Sequence, residues 1–238
     1  MWKWIRNIIL FFFLSTILAV VIYRFVPVYY TPLMVIRQFE QLREGKPTTI
    51  HHRWVPIEQI GQPLVQAVVA SEDNLFMEHD GFDWKQIKKA RQDARNGKRL
   101  RGASTISQQT AKNVFLVPAR SYIRKGLEVY FTFLIEKIWG KERIMEVYLN
   151  SIEMGKGIFG AEAAANIYWK KHAFALNVSQ SALIAASLPN PRKMNPGKPS
   201  AYMRTREKQI TSLMYKIFAV NIGYMGSNKA AAKTKRRK

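Results

Sequence analysis

The residues Glu72-Asp73-Asn74-Leu75-Phe76-Met77-Glu78-His79-Asp80-Gly81 follow an apolar run over 64–70. Carried on a helix, Glu72, Phe76 and His79 would share one face. A carboxylate beside an aromatic ring at a helix end is partly desolvated, which raises its pKa toward the range useful to a general base. The same residues also fit an acidic helix terminus with a core phenylalanine and a hydrogen-bonded histidine. A second group is Gly102-Ala103-Ser104-Thr105-Ile106-Ser107-Gln108-Gln109-Thr110-Ala111-Lys112-Asn113. Gly102 permits a tight turn, and Ser104 or Thr105 can cap the helix that follows. Free N–H groups and the positive dipole end at such a helix start suit phosphate. Ser104, Gln108 and Lys112, at i, i+4 and i+8, would lie along one stripe and follow a polar substrate. The alternative is a solvated helix face.

A third group is Arg124-Lys125-Gly126-Leu127-Glu128. Glu128 stands four residues after Arg124 and three after Lys125, so it either makes local ion pairs or holds two cations toward an anion. Farther on come Tyr148-Leu149-Asn150 and a glycine-rich stretch, Gly155-Lys156-Gly157-Ile158-Phe159-Gly160, before the small residues at 161–164. His51, His52, His79 and His172 make no metal-ligand spacing, and His51-His52 reads as a loop pair.

These groups need elements to hold them. Residues 7–23 carry no charge, and extension to 26 across Arg24 gives the ~20 residues of a bilayer span. Lys3 and Arg6, beside Trp2 and Trp4, place the N-terminal end in the cytoplasm and the remainder outside. A cleaved signal would want a shorter apolar stretch and a small-x-small site, and Tyr23-Arg24-Phe25 offers none. Pro27, Pro32, Pro47 and Pro56 mark a connector, with a short helix over 34–42. From Ile57 the periodicity is mostly helical. It gives one helix through Ile123, Leu127, Phe131, Leu134 and Ile138, and another through Ile144, Val147 and Tyr148. A buried-type helix over 182–188 stops at Pro189, and Ser200 caps a last one. Strand signals are weak. The expected division is 1–6 cytoplasmic, 7–26 anchor, 27–56 connector, 57–220 catalytic domain and 221–238 basic tail.

The chain has 238 residues, a net charge of +22 and no cysteine. Thiolate chemistry, disulfides and zinc-thiolate sites are therefore excluded. The charge calls for an anionic partner: nucleic acid, an acidic membrane surface or a phosphorylated substrate. Lys85, Lys88, Lys89, Arg91, Arg95, Lys98, Arg99 and Arg101 concentrate it between the first two groups.

Together and in order, Glu72-Asp73-x-x-Phe76-x-x-His79-x-Gly81 and Gly102-x-Ser104-Thr105-Ile106-x-Gln108-Gln109-x-x-Lys112-Asn113 resemble the first two signatures of the peptidoglycan glycosyltransferases, glycosyltransferase family 51. Arg124-Lys125-x-x-Glu128 resembles the third, Lys141-x-x-Ile144-x-x-x-Tyr148-Leu149-Asn150 the fourth, and Ala182-Leu183-Ile184-Ala185-Ala186-Ser187-Leu188-Pro189-x-Pro191 the fifth. The likeness runs from about Pro56 to Pro196. Phe159, Trp169, Ser187 and Asn190 depart from the residues expected there. Ser-x-x-Lys, Ser-Asp-Asn and Lys-Thr-Gly are absent, so the chain resembles the monofunctional biosynthetic transglycosylases.

The resemblance implies a mostly α, lysozyme-like helical domain with a small membrane-proximal lobe, behind one N-terminal transmembrane helix. It implies lipid II and the nascent glycan strand as substrates, in a single-pass protein of the inner membrane whose catalytic domain faces the periplasm. Glu72 would be the base and Glu128 the second catalytic carboxylate. Lys112, Arg124 and Lys125 would meet the pyrophosphate. Asp73, Phe76, Ser104, Thr105, Gln108 and Asn150 would contact substrate. No cofactor is required, no metal site is fixed, and a divalent cation, Mg or Mn, is admitted at the pyrophosphate. Membrane lipids are implied partners, nucleic acid is not, and cell-division or elongation proteins are candidates. Two other readings compete. A lytic murein transglycosylase would cleave strands, but such enzymes carry Ser after the glutamate, where this chain has Asp73. A membrane-tethered nucleic-acid binder explains the charge but not the ordered motifs.

Overall fold

The computed structural model describes residues 2–45, 47–97, 104–119, 121–220 and 222. Gly102 and Ala103 of the second motif, Lys98, Arg99 and Arg101 of the basic stretch, and residues 221 and 223–238 of the tail lie outside the described residues. The fold is mostly helical, as expected, with ten α-helices and three very short strands among the described residues.

Helix α1, Trp2–Phe25, is long and apolar enough to cross a membrane. Its C-terminal half is docked rather than free. The Trp139 indole donates to Val20 O (2.7 Å), and the Arg143 guanidinium donates to Tyr23 O (2.9 Å) and Val26 O (2.6 Å). Thr16 shares a 2.8 Å hydrogen bond with the Tyr130 hydroxyl, and Phe13 meets the Tyr130 ring edge-on. The connector holds α2, Pro32–Arg43, close to the predicted span. Thr31 caps it by accepting from Met34 N, and proline occupies its first turn, where no N–H is needed. Arg37 ties α2 to the interior through Glu153 (3.0 Å).

Two helical groups form the domain. In one, α3 (Gln62–Glu72) packs against α9 (Val178–Ser187) and α10 (Ala201–Lys216). In the other, α5 (Ile106–Phe115) packs against α6 (Tyr122–Ile138) and α7 (Gly140–Ser151). Phe115 stacks on Phe131 with centroids 4.5 Å apart. Gly140, at φ +77°, breaks the chain between α6 and α7, a conformation glycine adopts without steric cost. Helix α8 (Ala161–Trp169) and α9 bury Ala161, Ala164, Ala165, Ala182, Ala185 and Ala186, whose small side chains let neighbouring backbones approach. Helix α4, Trp84–Arg95, stands out: Asp83 caps it, and none of its residues is buried.

Two sequence expectations change. His51 and His52 are not a loop pair but strand β1. It runs parallel to β3 (Ile158–Phe159), which pairs antiparallel with β2 (Glu153–Gly155) in the order β1-β3-β2. Strands of two or three residues are too short to show alternation. Second, Glu72, Phe76 and His79 do not share a helix face. Helix α3 ends at Glu72, and 74–80 form successive turns. The Asp73 carboxylate stops the helix from continuing: it accepts from Ile106 N (3.0 Å) and pairs with the His79 ring (2.9 Å).

Candidate active site

Glu72 closes α3 at the floor of a cleft of about 700 Å³, lined also by Ser104, Gln109, Leu188, Pro189, Tyr202 and Arg206. The Gln109 amide donates to Glu72 Oε2 (3.0 Å), and Ser71 Oγ lies 3.4 Å from Oε1. The fully buried Tyr148 hydroxyl donates to Gln109 Oε1 (3.2 Å), which fixes the amide with its N–H side toward the carboxylate. Burial pushes the Glu72 carboxyl above the ordinary carboxylate range. The bonds from Gln109 and Ser71 and the charge of Arg206 pull it partly back, while the negative Asp73 adds to the rise. A half-buried carboxylate with a raised pKa, open to a cleft, has the properties of a general base.

One turn farther along α5, Lys112 lines a second cavity of about 490 Å³ with Leu33, Asn113 and Arg124. Burial draws the Lys112 ammonium below its usual value; Glu128 opposes this, and the like charges of Arg124 and Lys125 reinforce it. Glu128 is buried and takes Arg124 at 3.0 Å and Lys125 at 2.5 Å on separate oxygens. Arg124 also donates to Ala119 O. One carboxylate thus holds two cations beside a third, a net positive pocket suited to an anion. The negative charge of Glu72, at the end of α3, adds the smallest of the effects that hold the Lys112 charge.

The other expected contacts fall elsewhere. Ser104 lines the cleft but precedes α5, so no Ser104–Gln108–Lys112 stripe forms. Thr105 and Gln108 are buried partners in a capping box: Gln108 N donates to Thr105 Oγ1 (3.2 Å), and Thr105 N donates to Gln108 Oε1 (3.0 Å). Thr105 Oγ1 also donates to Gly81 O (2.7 Å). Phe76 is core, with the Lys141 ammonium 4.7 Å above its ring. Asp73 is the brace described above. Asn150 is wholly buried, donating to Val55 O (2.9 Å) and Glu146 O (2.8 Å) and accepting from Val55 N (2.9 Å). It holds the connector's end.

Sequence reasoning passed over Gln109 and Arg206. The paired glutamines were visible, but which one faces Glu72 depends on where α5 starts, and each step along a helix turns a side chain by 100°. Arg206 reaches the cleft only through the packing of α10 on α3. Among the described residues no cluster of three His, Asp or Glu side chains is arranged to hold a metal ion.

Comparison with known proteins agrees with this arrangement. Residues 38–215 match the family model described as Transglycosylase. The chain is 60% identical over 212 residues to a biosynthetic peptidoglycan transglycosylase of Bacteroides thetaiotaomicron, covering 89% of this chain and 86% of that one. It is 52% identical to the protein of that name from Bdellovibrio bacteriovorus (87% and 83% covered) and 51% to that from Caulobacter vibrioides (87% and 89% covered). With three quarters of its length matched to the family, and with Glu72 in one cavity and Lys112 and Arg124 in the next, the chain belongs to the transglycosylase family.

Proposed function

We propose that this protein polymerises peptidoglycan glycan chains from lipid II. The 4-hydroxyl oxygen of an acceptor GlcNAc attacks C1 of a MurNAc whose α-linked pyrophosphate departs, and the new bond is β. Glu72 takes the hydroxyl proton as that bond forms. The departing undecaprenyl pyrophosphate is a weak base, so it needs its charge met more than it needs a proton. Lys112, Arg124 and Lys125 meet it, with Glu128 orienting the last two. Gln109 holds Glu72 in place, and Ser104 and Arg206 border the sugar path. The observation that carries the reading is the raised, half-buried Glu72 carboxylate in one cavity, with Lys112 and Arg124 lining the next and Lys125 held beside them by Glu128. The names of the relatives support synthesis over cleavage.

Helix α1 is the anchor of this reading. Lys3 and Arg6 keep its start in the cytoplasm, and the domain works on the outer face of the inner membrane. Exposed Lys85, Lys88, Lys89, Arg91 and Arg95 on α4 favour an anionic lipid surface, each by roughly 1 kcal/mol when close to it. Incubation of the detergent-solubilised full chain with fluorescent lipid II tests the reaction. Long glycan and released undecaprenyl pyrophosphate are expected; no polymer from lipid II, with cleavage of finished glycan instead, would overturn it.

A further inference from the structure

A third cavity, of about 390 Å³, lies outside the two just described. Lys156, Arg192, Lys193 and Lys198 surround it, and Tyr168 and Met194 supply apolar wall. The wall is built to be stiff. The Tyr168 hydroxyl donates to Met154 O (3.0 Å), and a Cβ at Gly155 would stand 2.0 Å from the Tyr168 hydroxyl oxygen, so glycine leaves the ring room. On the other side, Asn195 Oδ1 accepts from Gly197 N (2.8 Å) and Lys198 N (3.2 Å), and Lys193 N donates to Asn190 O (3.1 Å). A Cβ at Gly197 would come within 3.1 Å of the Tyr168 ring, so the loop closes tightly on the aromatic wall.

The charges are not balanced locally. Arg192 has Glu40 at 3.3 Å and Lys156 has Glu44 at 3.8 Å, but neither Lys193 nor Lys198 has an ion-pair partner among the described residues. An open pocket that is apolar on one wall and cationic around the rim fits a small organic anion better than inorganic phosphate alone. Its position narrows the choice. Leu188 and Pro189 line the Glu72 cleft, and Pro191, two residues on, lines this cavity. Lys193 stands four residues after Pro189, a reach of at most ~14 Å, and an extended five-residue peptide spans ~17 Å. A short peptide attached to a sugar in the cleft can therefore reach the cations.

We propose that this cavity receives the peptide stem of the glycan substrate, with its free carboxylates on Lys193 and Lys198 and its aliphatic side chains against Tyr168 and Met194. The proposal rests on lipid II being the substrate, and it assigns the cavity a role in selecting substrates that carry an intact acidic stem. No residue of the base or of the pyrophosphate pocket takes part.

The test compares the wild-type full chain with the exposed double variant Lys193→Ala/Lys198→Ala. Two substrates are used: lipid II with its complete pentapeptide, and lipid II trimmed to a single alanine amide that carries no free carboxylate. The double variant should raise KM for the complete substrate by roughly tenfold, the sum of two exposed ion pairs. Its kcat, and its KM for the trimmed substrate, should match the wild type. Equal kinetics of both proteins on the complete substrate, or an equal rise in KM on both substrates, overturns the proposal. Fluorescence anisotropy of the free labelled pentapeptide gives a reading independent of turnover. Saturable binding by the wild type that is lost in the variant supports the cavity assignment even if the wild type makes no polymer, a result that would defeat the reaction assignment alone. No difference in binding overturns the cavity assignment.

Discussion

Glu72 is held in a state that its fold makes costly, and this has consequences that can be measured. Its folded pKa lies above the ordinary 4.5, chiefly through burial, so the native state binds its proton more tightly than the unfolded chain does. That contribution to stability is complete below the unfolded value and is lost as pH rises through the folded one. Glu72→Gln removes the titration. The variant should therefore melt progressively higher than the wild type as pH is raised above about 4.5, with the gap closing in acid; a constant gap across that range would contradict the cause assigned. Gln109 acts in the opposite sense, because its N–H stabilises the ionised carboxylate. Gln109→Leu should move the acid limb of kcat/KM to higher pH and cut activity there by roughly tenfold, leaving the alkaline plateau little changed. An unmoved limb would reduce Gln109 to packing. Arg124, Lys125 and Glu128 were legible in the sequence as a group because they fall within one helical turn and a half. Gln109 and Arg206 were not, since one depends on helix phase and the other on tertiary packing.

At the scale of elements, the long helices were legible from periodicity and caps, as with Ser200 before α10 and the apolar series of α6. The short sheet and the end of α3 were not. What ends α3 is a contact from another segment, Ile106 N to Asp73, that no local pattern contains. The turn into α8 shows how narrowly such junctions are set. Gly160 has φ +81°, and a Cβ there would stand 2.6 Å from Asn150 O. Both backbone strain and the clash oppose any side chain. Gly160→Ala should cost about 3 kcal/mol or more in urea unfolding, well beyond an ordinary surface change. A loss under about 1 kcal/mol would show that α7 and α8 can separate without penalty. Asn150 explains why. Its amide pins Val55 from both sides, and its backbone oxygen meets the His52 ring of strand β1 at 3.0 Å.

The whole molecule is an apolar helix docked onto a cationic helical domain. The net charge of +22 admits nucleic acid, membrane or phosphorylated substrate when taken alone; the proposed function draws on the last two. The structure divides that charge into parts with different neighbours. Arg124 and Lys125 are tied to a buried glutamate, the α4 cations are exposed, and Lys193 and Lys198 stand unpaired among the described residues. Docking of α1 on Tyr130, Trp139 and Arg143 was not legible, because an apolar helix gives no sign of what its C-terminal half will touch. The central claim is that a synthetic site works through Glu72 as base. The most direct measurement is single-turnover polymerisation of fluorescent lipid II by Glu72→Gln, alongside its affinity for the same substrate. Affinity should stay within about threefold of the wild type while polymerisation slows by at least ~100-fold, the span of general-base catalysis. Near-normal turnover in this variant would contradict the account.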